Sequence, residues 1–189
     1  MEQLSEVELK KSMTRAGITY VYQGAKRTLG EVGCGKELRD WVGELKEGLG
    51  CRRSEDGYGR GLYLYGPYGD EALMLTARAA ILHGVGAYVT SMSDYFGEGL
   101  DRFMKCLPTI QDGMLVCIRG YTMSASVKQA GPSEWHACAE RAITRVIESG
   151  FPVVVSGEGR LEAGKDWWSR ALTEKVASAC VQTECKRAS

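Results

Sequence analysis

From residue 61 onward, short apolar runs alternate with segments in which hydrophobic residues recur every three or four positions. The runs at 62–65, 87–90, 114–118 and 153–155 have strand length and no polar face, which predicts strands covered on both sides. Helical spacing predicts helices over 70–83, 93–105, 133–148 and 166–179, and 180–183 reads as a final edge strand. This alternation implies an α/β fold, a doubly wound parallel sheet with helices on both faces. Upstream, Leu4, Val7, Leu9 and Met13 stand among charges and predict a short amphipathic helix, whereas Ile18-Thr19-Tyr20-Val21-Tyr22 has β character. Leu38, Trp41, Val42, Leu45 and Leu49 recur at helical spacing and end at Gly50. Residues 51–60 are polar and charged and read as a loop. The chain therefore divides into an N-terminal helical extension and lead-in, 1–58, and an α/β core, 59–189.

The junction after the first core strand carries the candidate chemistry. Gly66-Pro67-Tyr68-Gly69-Asp70-Glu71-Ala72-Leu73 turns from a strand into an apolar helix, the setting of the phosphate-binding pattern G-x-x-x-x-G-K-S/T. In that pattern backbone N–H groups cradle phosphates, the Lys neutralises them and the hydroxyl holds Mg²⁺. Here Gly66 and Gly69 remain, Glu71 stands at the second glycine, Ala72 at the Lys and Leu73 at the hydroxyl. Losing the Lys forfeits charge-assisted hydrogen bonds of about 1.5–3 kcal/mol each. Asp70 and Glu71 also bring negative charge to the place of the phosphates, and like charges about 4 Å apart at an effective dielectric near 20 repel by about 4 kcal/mol. Both acids suit the positive end of a helix, so the anion site is expected to be filled by the protein's own carboxylates. Gly66, Pro67 and Gly69 are the candidate cofactor-binding frame, with no catalytic and no metal-binding residue assigned. A second glycine-rich stretch, Gly30-Glu31-Val32-Gly33-Cys34-Gly35-Lys36, nearly spells the same pattern. The residues before it, Lys26-Arg27-Thr28-Leu29, are not a buried strand, so it reads as a loop capping the helix that follows.

Composition narrows the class. The 189 residues suffice for one domain with a real core, 44% hydrophobic and 25% charged content are ordinary, and 24 glycines against 4 prolines indicate many tight turns. A formal net charge of zero argues against a large basic nucleic-acid surface. With a polar, acidic start and no apolar run of membrane length, the expected location is the cytoplasm. Seven scattered cysteines form no C-x-x-C pair and read as small buried hydrophobes, and His136-x-Cys138 lacks the second ligand pair that zinc requires.

With the order of elements laid out, the chain resembles the AAA+ domain of bacterial helicase loaders of the DnaC/DnaI type and of IstB-type transposase helpers, from about Gly17 to Ala179. Gly59-Arg60-Gly61-Leu62-Tyr63-Leu64-Tyr65-Gly66-Pro67 looks like the family's approach to its Walker A loop. Gly84-Val85-Gly86-Ala87-Tyr88-Val89-Thr90 is similar to its second strand, and Pro152-Val153-Val154-Val155-Ser156 to its sensor strand. The resemblance implies a three-layer P-loop NTPase-like core with ATP and Mg²⁺ as the family's cofactors, yet each catalytic position departs from the pattern. Arg119-Gly120-Tyr121 follows the Walker B strand where two acids are expected, and a cation cannot replace a carboxylate as metal ligand or base. Glu158 stands for the sensor Asn, and Lys175 and Ala179 replace the two arginines of the finger segment.

This set implies a pseudo-ATPase adaptor of DNA replication or mobile-element biology, not an enzyme. It would bind a replicative helicase, a loader paralogue or a transposase-like protein, and assemble with copies of itself or with relatives, while Arg119 and Lys175 serve as fixed salt bridges. Two other readings stand beside it. One is an active ATP-binding loader or transposase helper using Lys36. The other is a single-stranded DNA-binding module built on Tyr20, Tyr22, Lys26 and Arg27, with Arg52 and Arg53 as a second cluster. Against the last, tyrosines on a strand face ordinary neighbours and Arg52-Arg53 reads as a charged loop. Trp167-Trp168 starts a helix and reads as an anchor at its end.

Overall fold

The computed structural model describes residues 5–24, 28–46, 61–91, 114–120, 133–164 and 169–188. Five strands, β1 (Gly61–Tyr65), β2 (Ala87–Ser91), β3 (Leu115–Arg119), β4 (Val153–Gly157) and β5 (Cys180–Glu184), form one sheet in the order β2-β3-β4-β1-β5. Every adjacent pair is parallel. The helices are α1 (Glu6–Arg15), α2 (Tyr20–Gln23), α3 (Gly35–Lys46), α4 (Gly69–Leu82), α5 (Ser133–Glu148) and α6 (Arg170–Ala179). The expected helix at 93–105, the loop at 51–60, Lys26, Arg27 and Trp167-Trp168 lie outside the described residues. No helix among the described residues is long and apolar enough to cross a membrane.

The continuous apolar runs resolve into period-two alternation between two cores. Leu62, Leu64, Leu115, Cys117 and Val154 pack on one face with residues of α1, α3 and α4. Tyr63, Val116, Ile118, Val153 and Val155 pack on the other with α5 and α6. Successive side chains on a strand point to opposite faces, so a run without a polar member requires helices on both. The result is three layers. The two layers differ in depth: α4 lies against the sheet and is itself covered by α1 and α3, which explains why its buried residues, among them Ala72, Leu73, Met74, Leu75, Thr76 and Ala77, surround its axis. Each large apolar side chain wholly buried here contributes about 1.5–3 kcal/mol relative to exposure.

The N-terminal segment joins this core. The Ser5 hydroxyl accepts from the Glu8 amide while the Glu8 carboxylate accepts from the Ser5 amide, a capping box that starts α1. The β reading of 18–22 gives way to a helical turn at Tyr20–Gln23. Ile18 is buried, its amide donates to Met13 O, and the Gln23 amide group donates to Ile18 O at 2.7 Å. These local bonds outweigh β-propensity: the edge strand β2 meets the chain only just before the segment, where the Val89 amide donates to Ala16 O at 2.7 Å, and residues 20–23 close a helical turn instead. Tyr20 is 83% exposed, whereas Tyr22 is half-buried against the core. The second glycine-rich stretch caps α3, as its setting implies: Leu29–Glu31 forms a 3-10 turn, Val32 bridges Arg187, and upstream stands the helical Tyr20–Gln23.

Glycine matters in this cap for space. A Cβ on Gly35 would lie 1.8 Å from Leu29 O, a backbone atom, whereas one on Gly43, in the same helix, would meet nothing within 4 Å. Gly35→Ala should therefore destabilise the fold by about 2–3 kcal/mol through displaced backbone, and Gly43→Ala should stabilise it by about 0.5–1 kcal/mol. Urea unfolding midpoints of the two variants check the opposite signs.

Candidate functional site at the carboxyl ends of the strands

In this strand order the chain leaves β1 toward β2 on one side and leaves β4 toward β5 on the other. The crevice where neighbouring strands send their connections in opposite directions is the usual ligand position of an open parallel sheet. Here it lies between the ends of β1 and β4, where Gly66, Pro67 and Gly69 stand. Gly66 has φ +100°, a conformation open to glycine, and a Cβ there would lie 3.0 Å from Cys185 O. A Cβ on Gly69 would lie 2.9 Å from Leu64 O and 3.2 Å from Gly157 O. The two glycines thus let α4 begin directly over the ends of β1 and β4.

The turn's amides have internal partners. The Gly69 amide donates to Gly66 O at 3.0 Å, the Tyr68 amide donates to Cys185 O at 3.3 Å, and Pro67 has no N–H. The Cys185 amide closes the loop from the other side by donating to Tyr65 O at 2.7 Å. Because α4 starts at Gly69, positions 71–73 fall in its first turns, and Ala72 and Leu73 are wholly buried. The two positions at which the phosphate pattern needs a Lys and a hydroxyl thus face the core.

Asp70, in the first turn of α4, gathers the strand ends. Arg119, the last residue of β3, donates to Asp70 Oδ2 through Nε at 3.1 Å and through its terminal nitrogen at 2.8 Å. The Ser156 hydroxyl of β4 donates to Asp70 Oδ1. One carboxylate therefore bonds two strands and lies at the positive end of a helix. The side chains of Arg119 and Asp70 are 34% and 48% exposed, which holds the pair to the small energies of solvent-facing ion pairs.

Beyond β4, Glu158 is exposed, and the loop is fastened by the buried Tyr63, whose hydroxyl donates to Gly159 O at 2.7 Å. Arg160 lies 5.8 Å from the centre of the Tyr65 ring. Lys175 on α6 is ion-paired with Glu148 on α5, and Ala179 is buried. Sequence reasoning placed the Gly66 turn and the departures at Arg119 and Lys175. It missed Ser156 as a partner of Asp70 and the return of Cys185 onto the turn, since neither has a local signal.

Neither a protein-family model nor a curated protein matches the sequence. Solved structures match throughout the fold. A candidate primosome component from Streptococcus pyogenes serotype M3 superposes with a TM-score of 0.61 at 12% identity, over 94% of this chain and 96% of that one. DnaI gives a TM-score of 0.56 at 12% identity over 79% of each chain. AMPPCP-bound DnaA from Aquifex aeolicus gives 0.55 at 16% identity over 86% of this chain, which spans 51% of that protein.

The ion pair is open to direct measurement. A double-mutant cycle of Asp70→Ala and Arg119→Ala, read by urea unfolding, should return a coupling of about 0.5–1 kcal/mol that shrinks as salt is raised. With its five parallel strands in this order and helices on both faces, the chain has a three-layer α/β fold like that of DnaI, the primosome component and the matching part of DnaA.

Proposed function

We propose that this chain is a pseudo-ATPase AAA+ adaptor that acts by protein contact in DNA replication or mobile-element biology. The observation that carries the reading is the Asp70–Arg119–Ser156 cluster, which fills the head of α4 with a carboxylate and its own counter-charge. Mg·ATP needs the opposite set: a cation and amide donors for the phosphates, and carboxylates at the β3 end for the metal. The donor set does not fit the group. Among the described residues β3 ends in the Arg119 guanidinium and no carboxylate, the Tyr68 and Gly69 amides are engaged, and the side chains of Ala72 and Leu73 supply no polar atom. Gly66, Pro67 and Gly69 then act as a structural turn.

Partner choice follows from the likeness to DnaI and to the primosome component, and the candidates are a replicative helicase, a loader paralogue or a transposase-like protein. Such contact should not depend on nucleotide. Sedimentation of the purified chain with each of these three proteins, with and without Mg·ATP, should reveal a complex with one of them whose Kd is the same in both conditions. Binding to none of them, or binding that requires ATP, overturns the proposal.

A further inference from the structure

Away from the Asp70 cluster, two thiols meet. Cys34 lies in the turn before α3 and Cys185 directly after β5, 151 residues apart in sequence, with their Sγ atoms 3.4 Å apart. Both side chains are buried. A short antiparallel ladder holds the two segments around them: Val32 bridges Arg187, the Gly33 amide donates to Lys186 O at 2.8 Å and the Ala188 amide donates to Glu31 O at 3.1 Å. The Cys185 backbone is also the clamp on the Gly66 turn, through Tyr65 O and the Tyr68 amide.

We propose that Cys34 and Cys185 form a reversible disulfide with a peroxide as oxidant, a latch that fixes the segment after β5 onto the Gly66 turn. A disulfide needs sulfurs about 2.05 Å apart, so closure asks a movement of about 1.4 Å from the present 3.4 Å separation. The ladder already holds both backbones in place for it.

The chemistry balances. The Cys34 thiolate attacks one oxygen of hydrogen peroxide, giving a sulfenic acid and hydroxide, which takes up the proton that Cys34 lost. The Cys185 sulfur then attacks the sulfenic sulfur, the S–O bond breaks, and the departing hydroxide takes the Cys185 proton as water. Two thiols are oxidised and one peroxide becomes two waters. The direction of attack follows from the pair itself: the contact with Cys185 lowers the Cys34 pKa, while the same contact and burial push Cys185 up. Cys185 sits between the exposed Glu184 and Lys186, so a small displacement of a surface segment admits the oxidant. The other two described thiols make poor competitors, since burial raises Cys117 and pushes Cys180 up to about 12.

Closing so long a loop should raise Tm by about 5–15 °C. The purified protein is treated with hydrogen peroxide, alkylated under denaturing conditions and mapped without reduction. The expected result is a peptide pair linking Cys34 to Cys185, loss of two hydrogens from the intact mass, the rise in Tm, and slower amide exchange in peptides covering Tyr65–Asp70. Dithiothreitol should reverse all four, and Cys34→Ala should abolish them. Full alkylation of both thiols after peroxide, or linkage through other cysteines, overturns the proposal. A Cys34–Cys185 link that leaves the Tyr65–Asp70 exchange unchanged overturns the latch. None of these readouts involves nucleotide or a protein partner, so they stand apart from the adaptor reading.

Discussion

The ends of β3 and β4 and the start of α4 are held to one another by the carboxylate of Asp70. One oxygen faces the Arg119 guanidinium and the other the Ser156 hydroxyl, while the helix presents its positive end to both. Parallel strands aim their carboxyl ends at one place, and something negative at the head of α4 is favoured there. In a phosphate-binding loop the ligand supplies that charge. Here a side chain supplies it, and Arg119 neutralises it from the strand position at which the related pattern would place metal-binding acids.

That exchange is compatible with the fold because the frame and the chemistry rest on different atoms. The frame needs a left-handed residue at Gly66, close approach of Gly69 to Leu64 and Gly157, and an apolar first turn of α4 against the sheet. None of these involves a charged side chain. Polar positions at the crevice can therefore change while both cores, with their strict alternation along β1, β3 and β4, stay filled. The salt bridge of Lys175 with Glu148 follows the same logic, a cation turned inward to the molecule's own helix pair.

Much of this was legible in the sequence because the signals are local. Apolar runs of three to five residues mark β1 to β4, and Gly66 and Gly69 mark the turn. Ile18–Tyr22 misleads, since β-propensity is weak against local context, and here Ile18 plugs the core while Tyr20 and Val21 stay exposed on a helical turn. The pairings that define the site are not local. Asp70 lies 49 residues from Arg119 and 86 from Ser156, and Cys34 lies 151 from Cys185. Only the strand order brings such residues together, and no spacing rule along the chain encodes it.

A helix head satisfied from within leaves no place for nucleotide phosphates, which calorimetric titration with ATP and Mg²⁺ measures. No binding heat is expected at millimolar nucleotide, for the wild-type chain and for Lys36→Ala alike. Micromolar binding by the wild type, whether or not Lys36→Ala abolishes it, would contradict the account and restore a nucleotide site.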